Sequence, residues 1–310
     1  MPRCTGKKAS RKIPAIAITN FFEIEEIIIL FILDDINHYF YNTNIIKKMQ
    51  TPFKNRKINF SDKGAGHVIV LIHGYMETSE VWENFADRAS QMFRTLSIDL
   101  PGHGLSYLCN EINSMELMAE SVIAVLDSLK ISKALLVGHS MGGYAALAAL
   151  QLFPERLSGI TLFNSHPFAD SPEAIEKRYK NIALVEAGKK DNMISNFVNN
   201  LYAAQNLKTM PEAVDKSLSI ASEISDKTII ADLKGMIERP SRVGLVEEGK
   251  VPLLWILGDK DIHINCDEAL KAVKLPSNSE VAILSRVGRM GFIEAEEVSA
   301  DILIKFAAKL

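Results

Sequence analysis

The 310-residue sequence predicts an α/β fold, a mostly parallel, doubly wound sheet with a helical cap inserted into it. Three observations lead there. Short apolar runs of strand length alternate with amphipathic stretches, the order that lays helices on both faces of a parallel sheet. One long interval, residues 165–249, holds no convincing buried strand and reads as polar helix. Finally, the turn Gly138-His139-Ser140-Met141-Gly142 stands between an apolar run and a helix of small residues.

Residues 1–48 stand apart as an atypical N-terminal extension. They hold eleven isoleucines, one glycine, seven basic and five acidic residues. The apolar run 27–33 is flanked by carboxylates and is too short to span a bilayer, which takes about 20 residues as a helix. Arg3, Lys7, Lys8, Arg11 and Lys12 resemble a secretory n-region, but no A-x-A site follows. Two readings stay open. The stretch is an appendage, disordered or lying on a membrane or partner, or it is upstream sequence not natively translated, with the start at Met49. The domain that carries the argument is 49–310.

Within it, residues 56–62 read as an edge strand. Residues 68–72 (Val-Ile-Val-Leu-Ile) are continuously apolar, the pattern of a strand buried on both faces. Residues 95–100, 134–137, 159–163, 252–257 and 281–284 read the same way. Helices are expected over 80–92, 114–129, 141–153 and 294–310. In the interval between the runs 159–163 and 252–257, Asp170-Ser171-Pro172-Glu173 opens a helix with a capping residue, an early proline and an acidic first turn. Further helices are expected over 189–204, 211–223 and 226–238. The whole stretch, about 166–249, reads as a cap over the carboxyl ends of the strands, where open α/β sheets bind ligands.

Composition excludes several classes of function. A hydrophobic share of 47% and a charged share of 24% suit a globular protein and exclude disorder, collagen-like repeats and a polytopic membrane protein. With 35 Lys and Arg against 38 Asp and Glu, net charge −3, there is no basic footprint for nucleic acid. Cys4, Cys109 and Cys266 are too few and scattered for a disulfide framework or a zinc site, so a reducing, cytoplasmic setting is expected.

The chemistry lies in four motifs. Gly138-His139-Ser140-Met141-Gly142, strand before and helix after, is a nucleophile elbow. His73-Gly74-Tyr75 ends the run 68–72, and Asp99-Leu100-Pro101-Gly102-His103-Gly104-Leu105-Ser106 follows the next one as a structural loop. Trp255-Ile256-Leu257-Gly258-Asp259-Lys260-Asp261 ends a late strand. In this set and order the chain resembles the α/β-hydrolase fold family, in its small, cofactor-free esterase/haloperoxidase-like branch with a helical cap, over about residues 56–310. The resemblance implies Ser140 as nucleophile, the backbone N–H groups of Tyr75 and Met141 as oxyanion hole, and Asp261 as triad acid, with Asp259 as the other candidate. It implies no metal and no organic cofactor.

The triad base is where the chain departs from the family. The family places a histidine after the last strand, in a string similar to G-H-M-G-F-x-E. Here the string is Gly288-Arg289-Met290-Gly291-Phe292-Ile293-Glu294, and no histidine follows His263. A guanidinium has five donors and no acceptor, so it cannot take a proton from serine. Losing the triad histidine of a serine protease costs up to about a millionfold in kcat. Substitutes to weigh are His263, His166 and His139, and the pocket candidates are His73, Gly74, His139, His166, Phe168 and His263. Arg289 is also placed to pair with Asp261. Two functions follow. One is hydrolysis of a carboxylic ester, thioester or lactone with a small apolar acyl part. The other is a catalytically impaired scaffold that binds a small hydrophobic ligand. Either way the expected partner is a small molecule; oligomeric state is not legible.

Overall fold

The computed structural model describes residues 47–310, so the expectations for the N-terminal extension fall, up to residue 46, outside it. Eight strands form one sheet: β1 (Lys47–Phe53), β2 (Arg56–Lys63), β3 (Val68–Ile72), β4 (Arg94–Ile98), β5 (Ala134–His139), β6 (Leu157–Phe163), β7 (Leu253–Gly258) and β8 (Ser279–Leu284). Their spatial order is β1-β2-β4-β3-β5-β6-β7-β8. The β1–β2 and β2–β4 pairs are antiparallel, and every later pair is parallel. Strands β5 and β7 are buried at every position, as unbroken apolar runs require between two helical layers.

Both edges of the sheet differ from the sequence expectation. Residues 56–62 form β2, which is not an edge, because β1 pairs outside it through a two-residue turn at Lys54 and Asn55 with φ of 43° and 60°. Positive φ at both turn residues is the hairpin geometry that matches strand twist. Strand β1 escapes recognition because Lys47, Lys48 and Pro52 break any apolar run, and proline is tolerated on an edge. At the other edge β8 is not buried on both faces: Val281 is 42% and Ile283 49% exposed. It pairs with β7 alone among the described strands, and the face that carries Val281 and Ile283 lies open.

Helices α1 (Glu83–Ala89), α2 (Met115–Ser128) and α3 (Met141–Leu152) connect the first strands. The helix expected over 80–92 is a 3₁₀ turn, Ser79–Trp82, followed by the shorter α1. Between β6 and β7 lie six helices: α4 (Pro172–Glu186), α5 (Lys190–Asn199), α6 (Asn206–Thr209), α7 (Pro211–Glu223), α8 (Asp226–Glu238) and α9 (Val243–Glu247). Ser171 and Ser225 cap α4 and α8 by accepting the N–H groups of Ala174 and Thr228. After β7 come α10 (Cys266–Lys271), α11 (Gly291–Glu294) and α12 (Glu296–Ala307). The single helix expected over 294–310 is interrupted at Ala295, whose φ of −139° is not helical.

The cap is tied to the sheet by buried polar bonds. His103 Nε2 lies 3.0 Å from Asp232 Oδ2 of α8, both side chains fully buried. Asn113 Nδ2 donates to the other oxygen of Asp232 and to the Pro101 carbonyl, each at 2.8 Å. Thr228 Oγ1 donates to Gly102 O at 3.0 Å. Burial opposes a charge on His103, but Asp232 outweighs it and raises the imidazole pKa. In the same loop Asp99 accepts from Asn59 Nδ2, Ser79 N and Leu105 N, so it holds the loop's shape.

Candidate active site

The site is built where β5 turns into α3. Ser140 sits on that turn at φ 49°, ψ −114°, a left-handed conformation that costs a non-glycine residue about 1–3 kcal/mol. The turn is that tight because α3 must start directly on the sheet. A Cβ on Gly142 would lie 2.3 Å from the carbonyl oxygen of Ile72, so only glycine fits there. Ser140 N donates to Phe163 O at 3.1 Å, and Ser165 Oγ donates to Ser140 O at 2.7 Å, fixing the elbow against β6.

The loop after β3 approaches from the other side. A Cβ on Gly74 would fall 2.9 Å from His139 Nδ1 and 3.2 Å from Ser140 Cβ. Gly74 N donates to Glu77 Oε2 at 2.6 Å, and the same oxygen lies 2.9 Å from His139 Nδ1. Burial alone would raise the Glu77 carboxyl; His139 and the Gly74 N–H more than reverse this and lower it. The other ring nitrogen of His139 lies 3.1 Å from Arg289 O. Neither Tyr75 N nor Met141 N donates to a protein acceptor among the described residues.

Arg289 occupies the centre. Its Nη2 and Nε donate to Ser140 Oγ at 2.8 and 3.3 Å, and its Nη1 donates to Asp261 Oδ2 at 3.0 Å. Both side chains of the pair are buried, 8% and 0% exposed. Asp261 also accepts from His263 N at 2.8 Å. Asp259, by contrast, accepts from Arg286 N and Val287 N and shapes the loop. The loop bearing Arg289 is stitched in place by Glu294, which accepts from Gly288 N, Met290 N and Ala203 N. Arg289 N itself donates to Leu201 O at 2.6 Å.

A cavity of about 260 Å³ opens in front of Ser140, under the cap. Of the residues singled out in the sequence, its wall includes Tyr75, Ser140, His166, His263 and Arg289. His73, Gly74, His139 and Phe168 lie behind that wall. His73 is fully buried, its Nε2 accepting from Leu100 N and its Nδ1 facing Gly74 O. Phe168 stacks on His166 at 5.3 Å between ring centroids. Tyr202 belongs to the cap interior, its hydroxyl bonded to Ser217 and Ala213.

The two histidines of the wall differ in what they can do. Both are held neutral. Burial, then Arg239 and Arg289, push His166 down to about 3; partial enclosure of the ring, then Arg289, lowers His263 as well, although that residue as a whole is exposed. His166 has both nitrogens engaged, Nδ1 accepting from Phe168 N and Nε2 meeting Tyr144 Oη. The ring of His263 has no protein partner among the described residues. Residues that the sequence did not mark are Glu77, Asn164, Lys177, Arg178 and Arg239. Arg178 and Arg239 both pair with Asp170, and Arg239 lies 3.9 Å over the Tyr144 ring. Among the described residues no group of three or more His, Cys, Asp or Glu side chains is placed to hold a metal, and no helix is long and apolar enough to cross a membrane.

A family model described as alpha/beta hydrolase fold matches residues 67–296. The dihydrolipoyllysine-residue acetyltransferase component of an acetoin cleaving system from Pseudomonas putida is 30% identical over 248 residues. The match covers 79% of this chain but 64% of that protein, so the chain spans less than two thirds of its length. A 2-hydroxy-6-oxononadienedioate/2-hydroxy-6-oxononatrienedioate hydrolase from Paraburkholderia phymatum is 28% identical over 265 residues, covering 81% of this chain and 90% of that one. Among solved structures, a thermophilic esterase from Thermogutta terrifontis with malate bound superposes at TM-score 0.79 with 25% identity, covering 86% and 98% of the two chains. The enol-lactonase from Burkholderia xenovorans LB400 superposes at 0.77 with 18% identity, covering 84% and 100%, a likeness of fold.

Proposed function

Since the chain belongs to the α/β-hydrolase fold family, we propose that its site is that of a carboxylic ester hydrolase working through Ser140, with turnover suppressed by Arg289. The observation that carries this is the guanidinium bridging Ser140 Oγ and Asp261 Oδ2. Nη1 and Nη2 flank one carbon, as Nδ1 and Nε2 do in imidazole. The guanidinium therefore joins acid to nucleophile as a histidine would, but with donors at both ends. Ser140 Oγ accepts two hydrogen bonds and finds no base for its proton.

The rest of the constellation supports two-step acyl transfer. With a base in place to take its proton, as in Arg289→His, Ser140 Oγ attacks the carbonyl of a small ester, thioester or lactone, and the oxyanion falls to the free N–H groups of Tyr75, after β3, and of Met141, at the start of α3. The base returns the proton to the leaving alcohol or thiol, then takes one from the water that attacks the acyl-enzyme and releases the acid. Phe197, Leu233 and Met236 of the wall suit an apolar acyl part. In the unmodified chain the base is missing, since His166 is engaged at both nitrogens; His263, neutral and unengaged, is the one substitute in the wall. A binding role for a small ligand is the second reading, favoured by the buried Arg289–Asp261 pair, which locks the catalytic groups to each other.

The test is hydrolysis of p-nitrophenyl butyrate by the unmodified chain and Arg289→His, each with a Ser140→Ala control. A working general base contributes about 10²–10⁴-fold, so Arg289→His gains that much in kcat and loses it with Ser140→Ala. Equal, Ser140-dependent rates with and without the substitution overturn the silencing role of Arg289, and His263→Gln then identifies the base. No Ser140-dependent rate in either protein favours the binding role.

A further inference from the structure

The cavity before Ser140 is more cationic than an ester site for a purely apolar substrate requires. Its wall holds Lys177, Arg178 and Arg289 and a single carboxylate, Asp170. Asp170 is shared between Arg178 and Arg239, so one positive charge of that trio is unbalanced. Arg289 is balanced by Asp261. Lys177, one residue before Arg178 on the exposed side of α4, has no carboxylate within ion-pair distance among the described residues. The excess charge lies on α4, across the cavity from the elbow.

A second, independent observation points to the same spot. The hydroxyl of Tyr75 is buried and has no hydrogen-bond partner, although the residue is only 7% exposed and forms part of the wall. A buried hydroxyl without a partner costs about 1–3 kcal/mol, so such groups are normally satisfied by something. Burial and then the Asp232 carboxylate raise the pKa of this hydroxyl, and Arg178 pulls it the other way. The neutral state of His166 and His263 fits the same positive field. The same wall is apolar at Phe197, whose ring packs edge-on against Tyr75 at 5.3 Å between centroids, and at Leu233 and Met236 of α8.

We propose that the cavity takes a small acyl compound that bears a carboxylate, received by Lys177, Arg178 and the Tyr75 hydroxyl, with its apolar stem on Phe197, Leu233 and Met236. This rests on the cavity being the ligand site of the proposed hydrolase, but not on Ser140 chemistry. The acyl carbonyl then points from the cap toward the elbow, so the substrate class narrows to half-esters and related monoanions of short dicarboxylic acids.

The test separates charge recognition from turnover by using the full chain with Ser140→Ala. Monomethyl adipate and dimethyl adipate are titrated calorimetrically at low salt. The half-ester binds at least about 10-fold tighter than the diester, the ratio expected for one charge-assisted hydrogen bond. Its affinity falls as sodium chloride is raised, and Lys177→Met and Tyr75→Phe each weaken it by a similar factor. Lys177 is exposed and Tyr75→Phe removes one oxygen, so both variants keep the fold. Equal binding of the two esters, no binding of either, or half-ester affinity untouched by both substitutions overturns the proposal. If Arg289→His never hydrolyses an ester but the half-ester is selected, the hydrolase reading alone fails. If Arg289→His hydrolyses p-nitrophenyl butyrate but the half-ester is not preferred, this inference alone fails.

Discussion

Asp261→Ala removes the acceptor that holds Arg289 across Ser140. At 3.0 Å the pair attracts by about 5 kcal/mol at an effective dielectric of about 20. Burial of two ions costs several kcal/mol each, so the intact pair is close to neutral for stability. Removing one partner is a different case. It leaves the guanidinium, 8% exposed, buried without a counter-charge, a loss of about 3–5 kcal/mol. For a domain of this size that is about 10 °C in Tm. Arg289→Met in addition to Asp261→Ala removes the stranded charge and returns most of the loss. Urea unfolding followed by fluorescence of the buried Trp82 and Trp255 measures the parent and both variants. An Asp261→Ala protein within about 1 kcal/mol of the parent would refute the clamp, because the guanidinium would then be hydrated rather than held. A double variant no more stable than the single one would refute it as well.

Three further outcomes follow from the same geometry. Gly74→Ala in the Arg289→His protein pushes a methyl group to 2.9 Å from His139 and 3.2 Å from Ser140 Cβ; a displaced nucleophile costs about 100-fold in kcat, read with p-nitrophenyl butyrate. Gly142→Ala meets backbone oxygens at 2.3 and 2.6 Å and costs about 3 kcal/mol or more, read as a fall in Tm. His73, lowered from 6.5 to about 4 by burial and then by His103, stays neutral in the fold while the unfolded chain takes up a proton. Stability from this group is complete above about pH 6.5 and is lost as the pH falls toward 4, by up to about 3 kcal/mol. His103, raised mainly by Asp232, acts in the opposite sense, losing its contribution as pH rises through its elevated value. His73→Gln keeps an acceptor for Leu100 N–H and flattens the acid limb of the Tm profile; parallel profiles for parent and variant would sink this assignment.

What could be read in the sequence was what burial writes into it. The runs 68–72, 134–137 and 252–257 are apolar throughout because both their faces are covered; the first two lie within β3 and β5, and the third overlaps β7 from Leu253 on. The elbow was legible because Gly138 and Gly142 answer to contacts that no side chain survives. Strand β1 was not, since edge strands need no apolar run and Pro52 speaks against one. Strand β8 was misjudged for a related cause: Val281 and Ile283 are apolar, and only their exposure in the folded chain shows that the face they share is uncovered. The bridge from Arg289 to Ser140 and Asp261 brings together positions up to 149 apart in sequence. Their spacing carries no trace of it beyond a motif with one residue changed. Lys177 and Arg178 read as ordinary charges on an amphipathic helix, and nothing local says that they face a cavity.

The bonds from His103, Asn113 and Thr228 to α8 also bear on how fast a ligand comes and goes. A cap fastened by three polar links, two of them fully buried, is held against swinging open as a lid, a motion that in other enzymes takes microseconds to milliseconds. Traffic is left to the rim, where Lys177 and His263 are exposed and turn about their side-chain bonds in picoseconds to nanoseconds. If the cavity holds a ligand as proposed, its entry and release are paced by diffusion through a narrow doorway and by the strength of the grip inside it, with no slow closing step to wait for.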